Sequence, residues 1–98
     1  MVEQGDIIKI DGIGHLALVI SKNTYNESGM AVVCPVTNKK SESTFEVDVS
    51  VDDVDMYVAS DAVRQIDLEK RTYKKLSRIS YNKLIYVIDM AQSVIDYL

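Results

Sequence analysis

The sequence predicts a mainly β domain: a small barrel or curled antiparallel sheet of five to seven short strands, closed by a C-terminal helix. Three observations carry this. β-Branched runs bounded by glycine and polar turns recur from residue 5 to residue 67. No strand alternates with a helix, which excludes a parallel α/β layout. From Leu84 the apolar spacing changes to three and four, the signature of one helical stripe.

The elements follow in chain order. Gly5 to Asp11 (GDIIKID) places Ile7, Ile8 and Ile10 between Gly5 and the Gly12/Gly14 pair and reads as the first strand. His15 to Ser21 and Gly29 to Thr37 are nearly continuous apolar runs joined by the polar KNTYNES connection, which predicts two buried strands and a loop. Pro35 cannot donate a ladder hydrogen bond, so the sheet should be interrupted there. Asn38 to Ser43 is a polar loop, and Thr44 to Ser50 alternates Phe45, Val47 and Val49 with Glu46 and Asp48 as a further strand. Met56 to Asp67 holds more strand chemistry, ending VRQID. Ser80 stands where an N-cap is needed, and Leu84, Val87, Ile88, Ala91, Val94, Ile95 and Leu98 form the stripe of the final helix, with Asn82, Lys83, Asp89 and Gln92 toward water.

At 98 residues the chain is expected to form a single domain, 1–98. Its longest apolar runs fall far short of the ~20 residues that span a bilayer. Residues 1 to 13 carry three acids against one lysine, the wrong charge for a signal peptide, so a cytoplasmic location is expected. One Cys and one His exclude a disulfide framework and a Cys/His zinc cluster within one chain; no metal and no cofactor are expected. The net charge of −4 argues against a globally cationic nucleic-acid binder. The distribution is uneven, however. Glu42 to Asp55 holds six acids and no base, whereas Lys70 to Lys83 holds six bases and no acid. Such runs are ordinarily solvated faces.

The reactive inventory is short, and the usual phosphate-loop, metalloprotease and serine-hydrolase motifs are absent. His15 is the one side chain of the type that exchanges protons near neutrality, set beside the Gly12-Ile13-Gly14 turn. A lone histidine at a strand end is ordinarily a plain surface residue. Cys34, inside an apolar strand, reads as a small hydrophobe. Thr37, Asn38, Lys39 and Lys40 place a hydroxyl, an amide and two cations at a strand end, which suits a phosphate contact and also any turn.

The pieces gain meaning in order. QGDIIKID, ALVIS, the Tyr25-Asn26 and Ser28-Gly29-Met30 segments, VVCPVTNK, TFEVDV, SDAVRQID and KLSRIS together resemble the MazF/PemK (Kid) toxin family over about residues 4 to 97. The resemblance implies an SH3-like barrel acting as a homodimer. It also implies a type II toxin that cleaves single-stranded RNA without a metal, halts growth, and is neutralised by a cognate antitoxin whose disordered tail lies in the RNA groove. Thr37 falls on the threonine the family carries at the end of its third strand, and Asp61 on an acidic residue of the Kid-type site. Arg64 falls on the arginine of its R-x-I-D stretch. With Thr37 and Asp61 carried over from the resemblance, His15 is expected to join them in catalysis as the acid or base, and Asn38, Lys39, Lys40, Ser60 and Arg64 are expected to contact RNA. Where most members carry an Arg-Pro pair at the start of the second strand, this chain reads His15-Leu16. Arginine holds charge bidentately and does not deprotonate, so His15 is not a conservative replacement. Two alternatives therefore stand beside the nuclease: a degenerate member that binds RNA or antitoxin without cutting, and a CcdB-like inhibitor of a protein target such as DNA gyrase, for which Tyr97-Leu98 is a loose match.

Overall fold

Ile7 of β1 (Asp6–Ile10) packs into one apolar cluster while Ile8 and Ile10 pack into another, so the first strand is buried on both faces. That pattern runs through the sheet of the computed structural model, which describes residues 1–95. β2 (Leu16–Val19), β3 (Met30–Thr37), β4 (Glu46–Val51), β5 (Val54–Ala59), β6 (Arg64–Asp67) and β7 (Tyr73–Arg78) complete it, with a one-turn helix α1 (Asn23–Asn26) and the C-terminal α2 (Tyr81–Ser93). All pairings are antiparallel in the order β4-β5-β3-β2-β1-β7, with β6 on β3. The result is a mainly β, curled half-barrel of seven strands with a C-terminal helix, as the sequence predicts. β4 and β7 end this order, and β6, paired with β3 alone among the described residues, leaves a further free edge.

The interruption expected at Pro35 is present, and its cause is visible. β2 runs beside β3 without a break, Leu16↔Val36 to Val19↔Val33. The opposite edge of β3 changes partner: Met30 to Val33 pair with β6, and Val36 and Thr37 pair with β5. Pro35 sits in the gap, where no ladder donor is required. The split bends the sheet and sends the last two residues of β3 toward a different neighbourhood from the first four.

The helix begins as its sequence predicts: the Ser80 hydroxyl accepts the Lys83 N–H at 3.3 Å. Leu84 and Val87 are buried with Ile7, Leu18, Val58 and Ile79, and Ile88 packs on the same cluster. α2 leaves β7 and reaches β4, where Lys83 pairs with Asp48 at 3.7 Å, so it spans the opening between these two strands. The predicted stripe holds only through its middle. Val94 and Ile95 are exposed in this chain, beyond the last helical residue, and Leu98 and Tyr97 lie outside the described residues. Among the described residues no helix is long and apolar enough to cross a membrane.

Two elements escape the sequence reading. KNTYNES contains α1, fixed by a buried polar knot: the Ser21 hydroxyl accepts the Val32 N–H at 2.9 Å and donates to Asn26 Oδ1, while Asn26 Nδ2 donates to the Ser21 carbonyl at 3.1 Å. β7 lies inside the basic run, which is not one solvated face. Lys75 pairs with buried Asp6 at 3.5 Å, and Arg78 reaches both Glu3 and Asp6. Gly29, which leads into β3, carries φ +89°, and a Cβ there would stand 2.5 Å from the Glu69 side chain.

Candidate functional site

The β1–β2 turn and the end of β3 meet at the same end of the sheet. Lys9 pairs with Leu16 and Leu16 with Val36, so extending the register by one residue sets His15 opposite Thr37. Between them opens a cavity of about 410 Å³. Its apolar lining is Leu16, Val36 and Met56; its polar lining is Lys9, His15, Thr37, Asn38 and Lys39. Gly12, with φ +85°, lets the connecting turn fold back over this end.

The side-chain bonds that His15, Thr37 and Lys9 make here run to backbone carbonyls close in sequence. His15 is half-buried, with Nδ1 2.9 Å from the Leu16 carbonyl, an arrangement that leaves the other ring nitrogen for a ligand when Nδ1 carries the proton. The Thr37 hydroxyl donates to the Lys39 carbonyl at 3.3 Å, a long bond that a better acceptor would displace. Lys9 donates to the Ile13 carbonyl, which ties a cation to the turn beside His15. Across the other edge of β1, Lys74 stands directly opposite Lys9, and among the described residues it has no ion-pair partner. No carboxylate lines the cavity. Donors and cations around an apolar floor, with no acid, suit an oxyanion rather than a metal ion. Among the described residues no group of three or more His, Cys, Asp or Glu is placed to hold a metal.

Of the residues singled out in the sequence, the structure brings together His15, Thr37, Asn38 and Lys39. Lys40 follows directly but lines a neighbouring cavity. Asp61 and Arg64 do not line this one. Asp61 is exposed on the β5–β6 connection, near enough to Cys34 that its charge adds to the burial that pushes the thiol up to about 12. Cys34 is accordingly protonated and inert at neutral pH. Ser60 is fully buried, and its hydroxyl finds no hydrogen-bond partner, so it does not face solvent in this chain. Sequence reasoning missed Lys9. A lysine within GDIIKID looks like a solvated strand residue; only the register across β1 and β2 carries it to the histidine.

Comparison with known proteins places this geometry. A family model described as "PemK-like, MazF-like toxin of type II toxin-antitoxin system" matches residues 3–94. No curated protein matches the sequence closely enough to count as a relative. Among solved structures, the MazE–MazF complex of Deinococcus radiodurans is similar in two crystal forms. One has 27% identity and a TM-score of 0.85, covering 95% of this chain and 94% of that one. The other has 26% identity and a TM-score of 0.87, covering 99% and 97%. An endoribonuclease from a mycobacterial species, in complex with its cognate antitoxin, shares the fold at 18% identity and a TM-score of 0.78 over the whole of both chains.

Proposed function

This chain belongs to the PemK-like, MazF-like toxin family of type II toxin–antitoxin systems, and from that premise we propose that it is a metal-independent endoribonuclease acting on single-stranded RNA at the His15 cavity. The observation that carries the reading is the meeting of His15, Thr37, Asn38, Lys9 and Lys39 around one carboxylate-free cavity. Cleavage by the neighbouring ribose forms a bond from O2′ to phosphorus and breaks the bond from phosphorus to O5′. The 2′-hydroxyl gives up a proton, the departing O5′ takes one, and the phosphorane gathers charge between them. His15 is the group to move one of these protons. The Thr37 hydroxyl and the Asn38 amide donate to the non-bridging oxygens, and the ammonium groups of Lys9 and Lys39 offset the developing charge. Asp61 lies off this cavity and is given no step in the chemistry.

A second reading, binding without cutting, draws on His15-Leu16 standing where the resemblance implies Arg-Pro. Lys9 answers it in part, because it restores a fixed cation at the same cavity from a different strand.

The family also supports a cognate antitoxin as partner, one whose acidic segment would cover His15, Thr37 and the adjacent lysines. A homodimer fits the apolar residues left open beside the helix: Val63, Ile88 and Ile95 line a groove of about 400 Å³ that one chain leaves uncovered. The decisive experiment incubates purified protein with a long single-stranded RNA in EDTA and analyses the product ends. Discrete fragments bearing 2′,3′-cyclic phosphate and 5′-hydroxyl ends are expected, and RNA that stays intact overturns the nuclease.

A further inference from the structure

The acidic segment after Lys40 takes no part in the chemistry above, yet it borders it. Thr37 pairs across the strands with Tyr57, and Tyr57 pairs with Asp48, so one step of the sheet, about 5 Å, separates the catalytic threonine from a half-buried aromatic ring. Tyr57 lines a second cavity of about 380 Å³, enclosed by the Lys40–Ser43 loop, Glu46 and Asp48. Lys39 lines the first cavity and Lys40 the second, so the two adjoin through consecutive residues as well as across the ladder. The second cavity is preformed: both Glu46 carboxylate oxygens accept the Ser41 N–H, at 3.0 and 2.9 Å, and the Ser43 hydroxyl accepts the Phe45 N–H at 3.1 Å.

The cavities differ in sign. The first offers lysines and no acid; the second offers Glu42, Glu46 and Asp48 against a single lysine. Carboxylates repel phosphate and accept N–H groups. Glu42 has no ion-pair partner among the described residues, and Asp48 keeps only a long, exposed pair with Lys83 at 3.7 Å, so both retain acceptor capacity. An aromatic ring beside such carboxylates, one strand from the phosphate site, is the chemistry that holds a nucleobase. We propose that this second cavity takes the base next to the scissile phosphate, with Tyr57 as the stacking surface and Glu42 and Asp48 accepting from its exocyclic amine. Cytosine, adenine and guanine carry that amine. Uracil lacks the amine; its one edge donor, N3–H, is flanked by two carbonyl oxygens that the carboxylates repel, and it is disfavoured. The inference rests on the endoribonuclease reading, and its test separates the two.

A randomised single-stranded RNA is cut with the wild-type chain, and the product ends are sequenced. Depletion of uracil at one position flanking the cut is expected. Tyr57→Ala should lower kcat/KM roughly 10- to 100-fold, the range of one lost base stack, while Tyr57→Phe stays within a few-fold of wild type. The double change Glu42→Gln and Asp48→Asn, at exposed positions that leave the core intact, should restore uracil at that position without altering which bond breaks. Uracil as frequent as the other bases at both flanking positions in the wild type overturns the subsite, as does an unchanged preference in the double variant. Should the wild type cut nothing, the nuclease reading fails separately. Binding of oligocytidylate and oligouridylate then decides the subsite, and equal affinity for the two overturns it.

Discussion

The β1–β2–β3 ladder ends in two polar clusters, and they are built on opposite principles. At one end Ser21 and Asn26 exchange hydrogen bonds with each other and with the backbone, while Asp6 accepts the Glu3 N–H at 2.8 Å and faces Lys75 and Arg78; all three are buried. At the other end Thr37, Asn38 and Lys39 are exposed, and the bonds His15 and Thr37 make are local ones to carbonyls one or two residues away. A buried polar group without a partner is costly, so the first cluster has to be complete within the chain. Polar groups left open around a cavity cost the fold little and await an acceptor from outside. Substitutions at the two ends should therefore divide: stability at the closed end, activity at the open one.

The largest effect tests the open end. His15→Ala should lower RNA cleavage by ~10²–10⁴, the worth of a positioned proton-transfer group, while leaving thermal stability nearly unchanged. Cleavage that ignores the substitution would return His15 to the surface and dissolve the contrast. Lys9→Met comes next. It keeps the side-chain stem but removes the ammonium group, and loss of one fixed donor to transition-state charge should cost ~10²–10³ in kcat. Affinity for a 2′-O-methyl RNA that resists cleavage should fall far less, because the ammonium acts chiefly on charge that develops during the reaction. A parallel loss of binding and rate would make Lys9 an ordinary phosphate contact.

The closed end predicts the reverse pattern. Asn26→Ala leaves the Ser21 hydroxyl and carbonyl short of partners in a site with 2% exposure, and should cost about 1–3 kcal/mol of stability in denaturant titration. At temperatures where the variant is folded, its cleavage rate should match wild type within a few-fold. A selective loss of activity in the folded variant would show that the two ends are coupled through β3.

Legibility in the sequence followed the same division. Strand content, the helix and the break at Pro35 could be read because hydrophobic periodicity and missing donors are local properties. His15 and Thr37 could be singled out because their residue types and their likeness to a family agreed. Lys9, Lys75 and Arg78 could not be sorted, because the same residue type serves as a site cation in one case and an ion-pair partner in the others. Only the strand register separates them. β7 was hidden for the same reason: its lysines and arginine read as a solvated run until Asp6 and Glu3 are seen opposite. Ser60 shows the converse limit, since its neighbour Asp61 is exposed while its own side chain is sealed inside the sheet.

The smallest predicted effect falls outside both clusters and sharpens the contrast by raising stability without touching activity. Val51 and Val54 pair across a two-residue loop whose members, Asp52 and Asp53, carry φ of 51° and 66°. A hairpin turn with two positive φ values is the kind for which Asp-Gly is preferred, because a side chain strains the left-handed region and glycine does not. Asp53→Gly relieves that strain and removes one of two adjacent like charges, while the greater freedom of glycine in the unfolded chain offsets part of the gain. The net expectation is about 0.5–1 kcal/mol of added stability, read as a rise of roughly 2–8 °C in Tm for a domain of this size. Cleavage should stay at the wild-type rate, since Asp53 lines neither cavity. A lower Tm would mean that the Asp53 carboxylate contributes more to the turn than its backbone strain costs. A changed rate would mean that the β4–β5 hairpin reaches the open end of the sheet.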